Sequence, residues 1–134
     1  MDIFVPFHQH LLIKCYVKNP PVEVDVLNKW LINLVETVGM RVLAGPTTAY
    51  VDDLGNEGLT GTITLSTSHS SLHVWSEYKL PMIQFDLYSC KSFKLDDVIK
   101  CFIPWGLIKV EWIMIDRNEF PVITSQGTID YPLI

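Results

Sequence analysis

The chain has 134 residues, 49% hydrophobic and 19% charged. That is long and apolar enough to bury a core without staples, and composition excludes disorder. A formal charge of −5 and a pI near 5.2, with ten scattered Lys and Arg, exclude the clustered basic surface of a nucleic-acid binder.

Three cysteines, Cys15, Cys90 and Cys101, cannot all pair, which fits a reducing compartment better than a disulfide framework. The N-terminal MDIFVPFHQH lacks the positive and long apolar regions of a signal peptide. No run approaches the ~18 apolar residues of a membrane span. A cytoplasmic protein with one domain over residues 1–134 and no membrane partner is the expectation.

In chain order, the branched and aromatic run His10 to Lys18 reads as a mostly buried strand, ended by Asn19-Pro20-Pro21. Leu27, Leu31, Leu34, Val35 and Val38 recur at helical spacing and predict a helix from Asp25, its N-cap, to Val38, with Gly39 as the stop. Met40 to Ala44 is a short strand, followed by a loop through Gly45-Pro46, Asp52-Asp53 and Gly55-Asn56. Leu59 to Ser66 alternates strictly, with Leu59, Gly61, Ile63 and Leu65 on one face and Thr60, Thr62, Thr64 and Ser66 on the other. Thr67 to Ser71 is a polar break. Leu72 to Trp75 is extended again, and Lys79-Leu80-Pro81 is a turn. Met82 to Cys90 is a strand with Ile83, Phe85 and Leu87 opposite Gln84, Asp86, Tyr88 and Cys90.

Leu95, Val98, Ile99 and Phe102 predict a second helix from Leu95 to Ile103, stopped by Pro104 and Gly106, with Asp96 and Asp97 in its first turn. Leu107 to Ile115 and Phe120 to Thr124 are strands joined by a turn at Asp116-Arg117-Asn118. The order is roughly β-α-β-β-β-α-β-β. The fold class is α+β, a two-layer sandwich with a mainly antiparallel sheet and two helices on one face.

Residues 58 to 90 carry the chemistry. They offer a hydroxyl-rich strand, the pair Ser68-His69, a second histidine at His73, and Cys90 on a neighbouring strand. If the break at Ser68 folds the chain back, Thr60, His73 and Cys90 converge on it, joining a nucleophile, a base and a proton donor. Taken alone, such hydroxyls also line many solvated sheet faces.

The order and spacing add to this. GLTG at 58 to 61, SHSSLHVWSE at 68 to 77 and FDLYSC at 85 to 90 resemble the bacterial and archaeal form of S-adenosylmethionine decarboxylase. That family reads Gly-Val-Ser/Thr-Gly, then Glu-Ser-His-x-x-x-His-Thr-Trp-Pro-Glu, then a strand ending in Thr-Cys. The likeness runs to about Phe102 and is weak beyond it.

The resemblance implies self-cleavage between Thr67 and Ser68, giving fragments 1–67 and 68–134 and a pyruvoyl group derived from Ser68. It assigns His73 to removal of the α-proton, Thr60 to a supporting hydroxyl, and Cys90 to proton donation. The pyruvoyl ketone forms a Schiff base with the substrate amine and accepts the electrons released with carbon dioxide. Trp75 matches an adenine-stacking aromatic and Glu77 a carboxylate for ribose hydroxyls. Leu54 falls where the family has a stacking Phe. By the same analogy two protomers pair, each site borrowing residues across or near the contact, and the products feed spermidine synthesis.

The chain departs from the pattern at Thr67 (Glu in the family), at Ser76 (Pro in the family) and at Leu54. Three other readings stand beside the first: a same-fold decarboxylase of arginine or ornithine, a non-cleaving relative that binds a ligand or regulates a partner, and an unrelated α+β interaction domain. Trp75 also suits an ordinary core or interface aromatic, and Trp30, Trp105, Trp112, Cys15 and Cys101 read as packing residues. His69 and His73 form His-x-x-x-His, and His8 and His10 form His-x-His. No carboxylate or cysteine stands at ligand spacing within either motif, so no metal is expected.

Overall fold

Alternation of buried and exposed side chains builds the sheet. In a computed structural model that describes residues 7–131, Leu59, Ile63 and Leu65 of one strand are buried while Thr62 and Thr64 between them are exposed. Residues 1–6, most of the stretch read for a signal peptide, and residues 132–134 lie outside the described residues. The elements are β1 (Gln9–Val17), α1 (Val24–Thr37), β2 (Val42–Val51), β3 (Gly58–Leu65), β4 (Ser68–Trp75), β5 (Met82–Ser89), α2 (Leu95–Phe102), a 3-10 turn (Ile103–Trp105), β6 (Leu107–Asp116) and β7 (Val122–Asp130).

The seven strands form one sheet in the order β2-β3-β4-β5-β1-β6-β7, and every neighbouring pair is antiparallel. The two helices touch each other and pack over one face, α1 against β2 and β3. The expected α+β two-layer sandwich is what forms. Leu27, Trp30, Leu31, Leu34 and Val35 are the buried stripe of α1, and they join Leu11, Ile13, Leu59, Ile63, Leu72, Ile83 and Leu87 in one core. Full burial of such a side chain is worth about 1.5–3 kcal/mol relative to exposure.

Trp30 anchors the helical layer, stacked on Trp105 at 4.7 Å, with Phe102 at 4.9 Å. Its Nε1–H donates to the Cys101 carbonyl at 2.6 Å, so the buried indole leaves no polar atom unpaired. Cys15 and Cys101 are buried packing residues, as expected. Burial pushes the Cys15 thiol up to about 12.

Four expectations need correction. Asp25 is not the N-cap: Glu23 holds that position without a side-chain cap, and Asp25 stands in the first turn of α1. The Gly45-Pro46 step does not end a strand. β2 runs on to Val51 because it is a sheet edge, where two register shifts around Ala44 absorb the step. The polar residues 67 to 71 are not a break either. Only Ser66 and Thr67 turn the chain, and β4 begins at Ser68. Four strands stand between the helices, one more than the order β-α-β-β-β-α-β-β counts.

Candidate active site

The β3–β4 hairpin closes at Leu65 opposite Ser68, leaving two residues for the reversal. Thr67 meets it with φ at +63°, the one non-glycine positive φ among the described residues. A β-branched side chain in this region is a steric outlier, at a cost of roughly 1–3 kcal/mol. The distortion falls on the residue whose carbonyl precedes Ser68. Thr67 Oγ1 donates to the Ser66 carbonyl at 2.7 Å and also touches the Cys90 thiol.

Cys90 follows the end of β5, the neighbour of β4, which carries it to the hairpin end. Its Sγ lies 3.6 Å from the Ser66 carbonyl, and the residue is only 7% exposed. Ser68, Thr67, Cys90, Met40, Arg41 and Lys91 line a cleft of about 540 Å³.

Thr60 and His73 form a second group. They are directly opposed across β3 and β4, with His73 Nδ1 3.3 Å from Thr60 Oγ1. Trp75 continues this group: its Nε1–H donates to Asn56 Oδ1 at 3.2 Å, and its ring neighbours those of His73 and Tyr78. A smaller cleft of about 210 Å³ lies between Trp75, His73, Thr60, Asn56 and Asp53. Gly58 permits this end of the hairpin. At φ +147° a Cβ there would stand 1.8 Å from the Val74 carbonyl oxygen.

Within one chain the two groups do not meet. Ser68 and His73 are five residues apart on one strand, about 16 Å, and the odd spacing puts them on opposite faces. Cys90 comes to the Ser68 end as expected; Thr60 and His73 do not, because the chain runs straight on from Ser68. Glu77 is exposed in the turn after β4. Leu54 is 98% exposed in the β2–β3 connection and packs on no pocket of its own chain. At Ser76 the backbone N–H donates to the Glu57 carbonyl at 3.3 Å, a bond that proline could not make.

A third cluster escaped the sequence reading. On the outer face of the sheet, His10 Nε2 lies 2.8 Å and His69 Nε2 3.5 Å from Asp86 Oδ2. Ser71 donates to Asp86 Oδ1, and Arg117 lies over the Tyr88 ring at 4.2 Å. Burial, the largest influence on Asp86, raises its affinity for a proton. The bonds from His10 and Ser71 and the charges of both histidines outweigh burial and hold the carboxyl below its ordinary range. Alternation put Asp86 on the outer face of its strand, but the register of β1 against β5, which brings His10 to it, is not written in either strand alone.

The hairpin end fits a pyruvoyl group made from Ser68. A strained residue precedes the serine, a cleft opens beside it, and a sheltered thiol touches the Thr67 side chain. No helix among the described residues is long and apolar enough to cross a membrane. Compared with curated proteins, the chain finds no match. The sequence profile of one family, S-adenosylmethionine decarboxylase, matches residues 9–104, from the first residue of β1 to just past α2, and takes in Thr60, Ser68, His73 and Cys90. The activity it supports is decarboxylation of S-adenosylmethionine in polyamine synthesis. Matched over more than two thirds of its length, the chain belongs to the S-adenosylmethionine decarboxylase family.

Proposed function

We propose that this chain is a self-processing, pyruvoyl-dependent decarboxylase of S-adenosylmethionine that supplies spermidine synthesis and works as a cytoplasmic homodimer. The observation that carries the reading is the left-handed Thr67 immediately before Ser68, with the Cys90 thiol against it. Strain in the ground state lowers the barrier to any step that releases it.

In processing, Ser68 Oγ adds to the Thr67 carbonyl carbon. The bond from that carbon to the Ser68 nitrogen breaks, the hydroxyl proton ends on the freed amine, and an ester joins the two halves. Removal of the Ser68 α-proton then expels the Thr67 carboxylate and leaves dehydroalanine. Hydrolysis of dehydroalanine releases ammonia and leaves the pyruvoyl group on residue 68. That group supplies a carbonyl that accepts the electron pair left as carbon dioxide departs. Cys90, sheltered beside it, donates a proton to the product carbon.

His73, supported by Thr60, is the base for the α-proton. Its distance from Ser68 in the same chain supports a role on the Ser68 of a second copy, in keeping with the paired protomers that the family resemblance implies. Trp75 and Glu77 travel with it as the adenine-stacking and ribose-binding side chains. The exposed Leu54, where an aromatic would stack, favours one second reading: the same chemistry on arginine or ornithine.

Denaturing electrophoresis with intact-mass measurement tests the processing. Two fragments ending at Thr67 and beginning at a residue 68 that lacks its amine are expected, with Ser68→Ala remaining one band. An intact wild-type chain would overturn the reading. Release of labelled carbon dioxide from S-adenosylmethionine, arginine and ornithine then selects the substrate.

A further inference from the structure

The cluster on the outer face of the sheet has no part in the processing chemistry, and its composition is that of a ligand set. We propose that His10, His69 and Asp86 form a binding site for a divalent ion of the zinc type, with Arg117 as the ion's competitor. The three candidate ligand atoms lie within 4.8 Å of one another. Zinc bonds of about 2.0–2.1 Å place tetrahedral ligands about 3.3 Å apart, and the two distances to Asp86 Oδ2, 2.8 and 3.5 Å, fall on either side of that value. Two imidazoles and one carboxylate suit such an ion and leave a fourth position open.

The scaffold is rigid where it needs to be. The three residues stand on β1, β4 and β5, adjacent strands in the middle of the sheet. His10 and His69 both pair with Tyr88 from opposite sides and lean towards the same carboxylate. Ser71 occupies Asp86 Oδ1, which leaves Oδ2 to the histidines, an outer partner of the kind that orients metal ligands. The His69 side chain is 51% exposed while His10 and Asp86 are 20% exposed, so an ion has a way in.

Arg117 decides the state without metal. Its guanidinium lies 3.3 Å from His10 Nδ1 and can only donate, so the His10 ring proton sits on Nε2, facing Asp86. A metal requires a bare Nε2, which moves the proton to Nδ1, where arginine cannot accept it. Arg117 must therefore swing away as the ion enters. Glutamine in its place presents an oxygen that can accept the Nδ1 proton.

The test is a titration of the purified wild-type protein with Co(II), followed by its visible absorption, and with Zn(II) by calorimetry. One ion per chain is expected. His10→Ala and Asp86→Asn weaken binding at least tenfold, and Glu36→Gln, exposed on α1 on the other side of the sheet, leaves it unchanged. Arg117→Gln tightens binding severalfold, the result that a merely structural cluster would not give. Zn(II) also raises the thermal midpoint of the wild type and leaves that of His69→Ala, a substitution at an exposed site, unmoved. Absence of binding, binding indifferent to His10→Ala and His69→Ala, or weaker binding in Arg117→Gln each overturns the proposal.

Discussion

Replacing Thr67 with glycine tests whether backbone strain drives the cleavage. Thr67 holds φ at +63°, and an L side chain there costs roughly 1–2 kcal/mol, at the upper end for a branched residue. Glycine removes that cost but loses about 0.5–1 kcal/mol of unfolded-state freedom, so the fold gains about 1 kcal/mol. If the transition state for Ser68 attack releases the distortion, the lost 1–2 kcal/mol slows cleavage roughly 5- to 30-fold. Stability is read by urea unfolding in a Ser68→Ala background, which keeps the chain whole. Cleavage is read as the half-time for appearance of the two fragments. Thr67→Asn, a residue that tolerates the left-handed region, should move both quantities the same way by a smaller amount. Cys90→Ala separates loss of the thiol contact from loss of strain. A Thr67→Gly chain that gains stability yet cleaves at the wild-type rate would refute the coupling, and one that loses stability would refute the strain itself.

Gly58→Ala forces a Cβ to 1.8 Å from the Val74 carbonyl at φ +147°; the hairpin must open there, at a cost of about 3 kcal/mol or more and a fall in Tm of roughly 10 °C. A wild-type melting curve would show that the strands do not approach so closely. Cys15, fully buried and pushed up to about 12, should resist iodoacetamide at pH 8.5 in the folded chain and react in urea. Because its folded pKa lies above the ordinary 9.0, its contribution to stability is complete below pH 9 and is lost as the pH rises towards 12. Between pH 9 and 10.5 the wild type should lose about 2 kcal/mol more than Cys15→Ala, and parallel losses would contradict the shift. Co-expression of Ser68→Ala with His73→Ala tests the borrowed base. Neither variant cleaves alone, but in mixed dimers the His73→Ala chain is cut by its partner's histidine, so about a quarter of all chains are processed at equal mixing, all of them His73→Ala. Failure of any fragment to appear, with mixed dimers verified by tag, would return His73 to its own chain or remove it from the chemistry.

The architecture was legible because alternation and helical spacing act locally. The faces of β3 and β5, the stripe of α1 and the acidic first turn of α2 all stand where the residue order puts them. Legibility failed where tertiary context outweighed local chemistry. Gly45-Pro46 is a breaker by composition, yet an edge strand with unpaired positions to spare can carry it. Five polar residues from Thr67 to Ser71 look like a loop, yet Ser70 is 1% exposed and donates to the Asp86 carbonyl at 2.8 Å, a partner supplied by β5. That Ser68 and Cys90 line one cleft was foreseen from the motif. The separation of His73 from Ser68 follows from where the hairpin turns, and a two-residue turn and a five-residue break read alike in sequence. The His10–His69–Asp86 cluster is the extreme case. Its histidines belong to two different spacing motifs, and the carboxylate that joins them comes from a third strand.

The separation of the two groups and the bareness of one sheet face bear on each other. Both helices lie on one side, and among the described residues nothing is layered on the other, where Leu12 is 39% and Ile123 56% exposed. Each chain carries a strained bond, a serine and a thiol at one end of its hairpin, and a histidine, a hydroxyl and a tryptophan at the other. A domain of this size has one core, and a loop long enough to fold the second group back over the first would have to run the length of the hairpin. In the proposed homodimer a second copy supplies the missing half without any such loop, and its contact can cover apolar side chains that one chain leaves in water. Processing would then wait on pairing, because a lone chain has the strain and the nucleophile while its own His73 stands about 16 Å from Ser68. Thr67 acts at the earlier step: its distortion, roughly 1–3 kcal/mol, is small enough for a folded chain to hold and is released when Ser68 attacks, and the partner's base is needed only for the α-proton of the ester that follows.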